Sequence, residues 1–452
     1  MSHPGLGPLL PHLTVPPPGP ASRALAERLR AVESRNVTQI SDEWPVFWKE
    51  ARGCNVRDAD GNVYLDLTSA FGVALLGHGH PGVVEALRTQ ARHLLHGMGD
   101  VHPPIVKVRV MERLADLAPW PETRVVLSST GSEAVETALK TVQIATGRPG
   151  VLAFEGAYHG LTFGALAATH RDHFRAPFVT WLYGGVAFAP FPDTRRHGPD
   201  AAARSLARVE ELLARGAPNG DPIGAVIVEP VQGRAGARVA PEGFMARLSR
   251  LAQGAGALVV ADEVFTGLGR CGAFLASGRV GLDPDVVCLG KALGGGFPVS
   301  ACLGRREVMD AWLPSLGEAI HTSTFLGHPL GCAAASAVLD AFETEAVEAR
   351  ARLVGGRLVA ALRRAFSSSQ AVAEVRGLGL LVGIELADGA SRQPARGAGV
   401  RVAQAALREG LLLLPAGDHG QVVGLTPALE LTDEQLSYAV EVLTRTVREV
   451  AS

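Results

Sequence analysis

Hydrophobic and polar residues follow two distinct rhythms along this chain. Five short runs, Arg124–Leu127, Gly150–Phe154, Ile223–Val228, Ala257–Ala261 and Val286–Leu289, are apolar almost throughout. Runs of that length and composition suit strands buried on both faces. Between them lie stretches at helical spacing, such as Ala134, Val135, Ala138 and Leu139. The alternation predicts βαβ units and a mainly parallel sheet.

The ends of the chain read differently. The first 20 residues are rich in Pro and Gly and predict an extended arm, followed by a helix with Leu25, Leu29 and Val32 on one face. Alternating apolar residues from Val56 to Ser69 flank Asp60-Gly61, a hairpin signal. A helix after Pro81 carries Val83, Val84, Leu87, Ala91, Leu94 and Leu95 and stops at Gly97. The βα rhythm fades near residue 335. Beyond it come a helix through Val354–Ala365, a strand at Leu381–Leu386, and a last helix opened by the capping box Thr432-x-x-Gln435. The expected organisation is an arm and part of a small domain in 1–75, a large α/β domain in 76–335, and the rest of a small α+β domain in 336–452.

Composition narrows the function. Of 452 residues, 47% are apolar and 19% charged, an ordinary globular balance. A net charge of −2 with both signs dispersed gives no electrostatic case for nucleic acid or an anionic membrane surface. No apolar run reaches about 18 residues, and no basic segment precedes an apolar stretch at the amino terminus. Five cysteines, Cys54, Cys271, Cys288, Cys302 and Cys332, lie far apart without CxxC spacing and predict packing thiols in a reducing compartment. A cytoplasmic protein without a metal site is expected.

Lysine is scarce: Lys49, Lys107, Lys140 and Lys291 are the four among 43 basic residues. Arginine cannot act as an amine nucleophile, so a retained lysine attracts notice. Lys291 follows a buried strand and precedes Gly294-Gly295-Gly296, where open α/β sheets place ligands. There it can form a Schiff base with a carbonyl cofactor, or sit at a turn as a solvated charge. Asp262 closes the strand Val259-Val260-Ala261. It suits an anion that keeps a cofactor's pyridine nitrogen protonated, and equally a helix N-cap. Ser128-Ser129-Thr130-Gly131-Ser132-Glu133 leads from a strand into a helix, as an anion cradle or as a capping box.

Taken in order, several motifs resemble the class III, or ω-, aminotransferases of pyridoxal phosphate (PLP) fold type I. They are Asp58-x-x-Gly61-x-x-Tyr64-x-Asp66, Gly77-His78, Thr130-Gly131-Ser132-Glu133-Ala134, Tyr158-His159-Gly160, Glu229-Pro230-Val231-Gln232-Gly233, Asp262-Glu263-Val264, Gly290-Lys291-Ala292 and Thr322-Ser323-Thr324-Phe325. The resemblance implies a large domain with a mainly parallel sheet of the seven-stranded type plus a small α+β domain. It implies PLP as cofactor, with Lys291 and Asp262 catalytic. Tyr158 and Val264 would enclose the cofactor ring, and Gly131 and Ser132 would bind its phosphate. His159, Glu229 and Gln232 would be further cofactor contacts. Thr324 would come from the neighbouring subunit of a homodimer.

The departures bear on substrate. Relatives acting on 4-aminobutyrate or ornithine carry an arginine directly after Tyr-His-Gly and another near the C-terminus; Leu161 and Gly424 stand at those positions here. Phe71, Leu161 and Phe265 imply a more apolar pocket. Arg234 and Arg238 are the candidates to replace the missing arginines. The leading reading is amino transfer from an amine or amino acid to a keto acid. A racemase or epimerase on the same fold is the second reading, since 2-oxoglutarate has no evident clamp. A non-catalytic PLP-binding protein is a distant third.

Overall fold

Each of the five apolar runs forms a strand in the computed structural model, which describes residues 6–389, 391 and 393–451. The first five residues of the expected arm lie outside those described. The chain divides into two units, one of residues 81–352 with 377–379, the other of the remaining described residues.

In the larger unit, α1 (Pro81–His93) and α2 (Ile105–Asp116) precede β1 (Thr123–Ser128) and α3 (Gly131–Thr146). Strands β2 (Gly150–Phe154) and β3 (Val186–Ala189) follow, then α4 (Ala201–Arg215), β4 (Ile223–Val228), α5 (Phe244–Gly254) and β5 (Leu258–Asp262). The unit continues with β6 (Val286–Leu289), β7 (Ser300–Arg305) and α6 (Pro329–Thr344). The seven strands form one sheet in the order β1-β7-β6-β5-β4-β2-β3. Strand β7 is antiparallel to both neighbours, and the other pairs are parallel. Six strands therefore point one way and deliver their carboxyl ends to one edge, where open α/β sheets bind ligands.

Burial on both faces explains the unbroken apolar runs. Val151, Ala153, Ala225, Ile227, Val260 and Val286 face Ala134, Val135, Ala138 and Val142 of α3. Phe154 points the opposite way, as strand alternation requires, and meets Phe191 and Phe244 edge-on at 6.1 and 6.3 Å between ring centres. Helix α3 starts at the reciprocal capping box of Thr130 and Glu133 and ends at Gly147, whose φ of 65° few other residues tolerate.

Two boundaries differ from the sequence expectation. Residue 335 falls inside α6, and the larger unit runs on to Arg352 because α6 packs against α1 and α2. Helix α1 stops at His93, leaving Leu94 and Leu95 exposed beyond it.

In the smaller unit, Asn55–Asp58 and Val63–Asp66 form the expected antiparallel hairpin. Leu411–Leu412 pairs in parallel with Val63–Asp66, joining the two ends of the chain. The helix Pro20–Val32 buries Ser22 and Ala26, while Val32 is exposed. Its orientation is fixed by Asp60, whose carboxylate accepts the N–H groups of Ala21 and Ser22 at 2.6 and 2.9 Å and so caps the helix from a distant loop. Thr432 and Gln435 exchange capping bonds at the start of Asp433–Ala451 as expected.

The three rings of Phe154, Phe191 and Phe244 pack together almost fully buried. Phe154→Ala should cost about 3–5 kcal/mol by removing a ring from a closed core. Urea unfolding should give a lower midpoint at unchanged slope. An unaltered midpoint would mean that the cluster contributes nothing.

Candidate active site

Five of the six co-directional strands end at sequence-marked residues. Ser128 of β1 leads to Gly131 and Ser132, Phe154 of β2 to Tyr158 and His159, Val228 of β4 to Glu229, and β5 closes on Asp262. Leu289 of β6 leads to Lys291. Register does the alignment: Ala261 pairs with Val228, and Asp262 with Cys288. A slip of one residue would turn Asp262 to the other face of the sheet.

Asp262 is buried and held from two sides. One carboxylate oxygen lies 2.7 Å from His159 Nδ1, and the other accepts the N–H of Val264 at 3.1 Å. A carboxylate has about four acceptor positions, so two remain for another donor. The N-cap reading of Asp262 is thus partly met by the Val264 contact, without exhausting the group. The adjacent Glu263 turns away. It is fully buried and accepts the Ala276 N–H at 3.0 Å, the Ser277 N–H and the Thr266 hydroxyl, fastening the segment after the site.

Lys291 sits in a strained backbone, with a φ of 43°. Such left-handed conformations in a non-glycine residue persist only where surroundings enforce them, and they concentrate at functional sites. Its Nζ lies 4.0 Å from the centre of the Phe265 ring. Burial lowers its pKa to about 8, opposed by the negative charges of Asp262 and Glu229 and assisted by Arg234 and Arg270. Near neutral pH a useful fraction of this amine is therefore uncharged, unlike an ordinary lysine.

The start of α3 has the form of an anion cradle. Its first N–H groups have no carbonyl one turn back. The Ser132 hydroxyl accepts the N–H groups of Leu161 and Thr162 at 3.1 and 3.2 Å, tying the Tyr158-His159-Gly160 loop to this helix. Gly131 is required there, since a Cβ would come within 2.6 Å of Val264 Cγ1. The same Val264 methyl would meet a Cβ on Gly290 at 3.2 Å, so Val264 packs between the cradle and the Lys291 loop.

Glu229 is buried and accepts the Tyr158 and Gly233 N–H groups, each at 3.0 Å. Burial raises its pKa to about 7, with His159 opposing and Asp262 adding to the rise. Gln232 donates to the Glu155 carbonyl at 2.9 Å. Tyr158 stands edge-on to Phe174, 5.5 Å between centres. Leu161 is half exposed, and Thr324 is exposed in a segment anchored by the Thr322 hydroxyl to Asp100 at 2.7 Å. Phe71 and Gly424 belong to the smaller unit. Phe71 is exposed with a φ of 61°, and Gly424 lies in a strand paired with Gly383 and Leu414. Arg270, fully buried, was not marked by any sequence pattern, yet its charge reaches Lys291. Among the described residues no cluster of metal-ligating side chains occurs.

The depressed pKa has a direct test. In the ligand-free protein, acylation of Lys291, followed by peptide mass spectrometry, should rise with pH through a midpoint near 8. A midpoint above about 10, that of an ordinary lysine, would contradict the environment described here.

Comparison with known proteins agrees with this geometry. The family model described as "Aminotransferase class-III" matches residues 37–447. The 5-aminovalerate aminotransferase DavT of Pseudomonas aeruginosa is 36% identical, covering 95% of this chain and 99% of that protein. An alanine/serine racemase of Pyrococcus horikoshii is 32% identical over 97% of this chain and 93% of its own length. Among solved structures, a PLP-bound amine transaminase from an uncultivated Pseudomonas species superimposes with a TM-score of 0.84 at 30% identity, covering 92% and 98% of the two chains. Sequence motifs, a sheet edge carrying Asp262 and Lys291, and these matches agree: the chain belongs to the class III aminotransferases, enzymes that use pyridoxal phosphate.

Proposed function

We propose that this chain transfers an amino group from an amine or amino acid to a keto acid, with Lys291 and Asp262 as its catalytic residues. The observation that carries the assignment is one buried carboxylate and one partly neutral amine at adjacent strand ends, beside a helix start kept clear by Gly131. The donor set fits PLP: helix N–H groups for a phosphate, a carboxylate for a pyridinium, an amine for an aldehyde. When bound, PLP supplies an aldehyde that condenses with amines and a protonated ring that accepts electrons from the substrate carbon.

The chain's own residues do the rest. Asp262, oriented by His159 and the Val264 N–H, would hold a proton on the ring nitrogen. Lys291 would anchor the cofactor and, once displaced by substrate, carry a proton, a role suited to an amine that ionises near pH 8. Gly131 and Ser132 would hold the phosphate, and Tyr158 and Val264 would confine the ring. Glu229, His159 and Gln232 would frame the site. Leu161 and Phe265 would make the substrate pocket apolar.

We also place the reaction in a cytoplasmic homodimer with Thr324 reaching the partner's phosphate. In support, Leu94, Leu95, Met98, Val101 and Ile105 are exposed, and His96 lies 5.4 Å from the exposed Phe325 ring, an apolar surface beside Thr324. All five cysteines are buried and none is in a disulfide. Among the described residues no helix is long and apolar enough to cross a membrane.

The second reading, racemisation, uses the same carboxylate and amine and differs only in where the proton returns. The experiment mixes the PLP-loaded protein with a panel of amines and amino acids, with and without keto acids. Transfer predicts loss of the visible cofactor absorbance on donor addition and its recovery on adding pyruvate. Loss of optical rotation with no spectral change and no need for a keto acid would replace transfer by racemisation.

A further inference from the structure

Two arginines beside the site lack partners of the kind their neighbours have. Arg238 is buried and lies 3.8 Å from Asp193, while Arg305 bonds Asp283 and Asp285 at 3.0 and 3.1 Å. Arg175 bonds the Thr169 carbonyl at 2.8 Å. Arg234 and Arg171 differ: among the described residues, neither guanidinium has a hydrogen-bond acceptor or a carboxylate within ion-pair distance. Each lies over an aromatic ring instead, Arg234 at 5.9 Å from the Tyr158 centre and Arg171 at 5.4 Å from the Phe174 centre. Those rings touch edge-on, so the two cations share one aromatic wall and repel each other.

The nearby Glu229 favours the Arg234 charge but makes no ion pair with it. Its two carboxylate oxygens accept the Tyr158 and Gly233 N–H groups, and burial raises its pKa, disfavouring its negative charge. Arg234 is partly buried, and both burial and the Arg171 charge disfavour its own charge. A like-charged pair on a partly dry wall calls for an anion, and a guanidinium fork matches a carboxylate best. Arg234 is also one of the charges that lower the pKa of Lys291, which sets it electrostatically within range of the reacting amine.

We infer that Arg234, supported by Arg171, forms a carboxylate-recognition subsite, so that the substrates of this chain are amino acids and keto acids in preference to simple amines. The inference rests on the transfer reading but fixes a substrate class that it leaves open. It separates Arg234 from Arg238, which the sequence treats alike and which Asp193 already engages. Tyr158 acts as the platform that holds the guanidinium plane, a cation–π arrangement that limits its rotation.

The test uses the PLP-loaded protein and two unreactive probes, pentanoate and its uncharged analogue pentanamide, titrated by calorimetry. Pentanoate should bind the unmodified protein at least about tenfold more tightly than pentanamide. Arg234→Gln should weaken pentanoate by about 10- to 100-fold, the range for one charge-assisted hydrogen-bonded contact, and leave pentanamide unchanged. Arg234→Lys should restore part of the loss. In turnover, Arg234→Gln should lower kcat/KM for 5-aminopentanoate through KM at least about tenfold more than for pentylamine, which has no carboxylate to lose. Equal pentanoate binding by the unmodified and Arg234→Gln proteins would overturn the inference. So would an equal loss for both amine donors, which would mark Arg234 as structural. Because probe binding involves no turnover, this result stands whether transfer or racemisation is found.

Discussion

Everything at this site is arranged around one buried carboxyl group held in a fixed place. Asp262 closes a strand hydrogen-bonded on both sides, and its position follows from the parallel register that sets Ala261 beside Val228 and Asp262 beside Cys288. An isolated carboxylate at such a depth would take up a proton or disrupt the fold. His159 and the Val264 N–H together hold it and direct it. The sheet carries the charge to its edge, and the loops at that edge are arranged around it.

Those loops are coupled through small residues and shared bonds. Val264 follows Asp262 by two positions and fills the space that Gly131 and Gly290 leave. The Ser132 hydroxyl binds the loop that delivers Tyr158 and His159. Glu229 binds the Tyr158 N–H in turn. Carboxylate and amine thus sit on neighbouring strand ends, and Val264 packs them against the start of α3. The strained φ of Lys291 is a local cost offset by this network.

Much of this was legible in the sequence because it rests on short-range physics. Unbroken apolar runs marked five of the seven strands, and Thr130/Glu133 and Thr432/Gln435 marked helix starts that the hydrogen bonds bear out. Strand-end chemistry picked out Asp262 and Lys291. Long-range contacts were not legible. Strand β7 runs against its neighbours, and nothing local in Ser300–Arg305 signals that direction. Helix Pro20–Val32 is oriented by Asp60 from a distant hairpin, so its apolar stripe misjudged which face is buried. Glu263 resembles Asp262 on paper, yet strand alternation sends it into a different network. Arg234 and Arg238 look interchangeable four residues apart; only Asp193, from another loop, separates them.

The central claim is that the charge on Asp262 serves the chemistry beyond shaping the fold. Asp262→Asn keeps the side chain's size and its ability to accept the Val264 N–H, removes the charge, and turns the other oxygen into an amide donor. The most direct measurement is the rate of amino transfer by this variant, with borohydride trapping and peptide mapping to verify that the cofactor is still attached at Lys291. Loss of a fixed electrostatic stabiliser predicts a fall of at least about a hundredfold with attachment retained. Activity within about tenfold of the unmodified protein, with the cofactor attached at Lys291, would contradict the account and leave Asp262 as a loop cap.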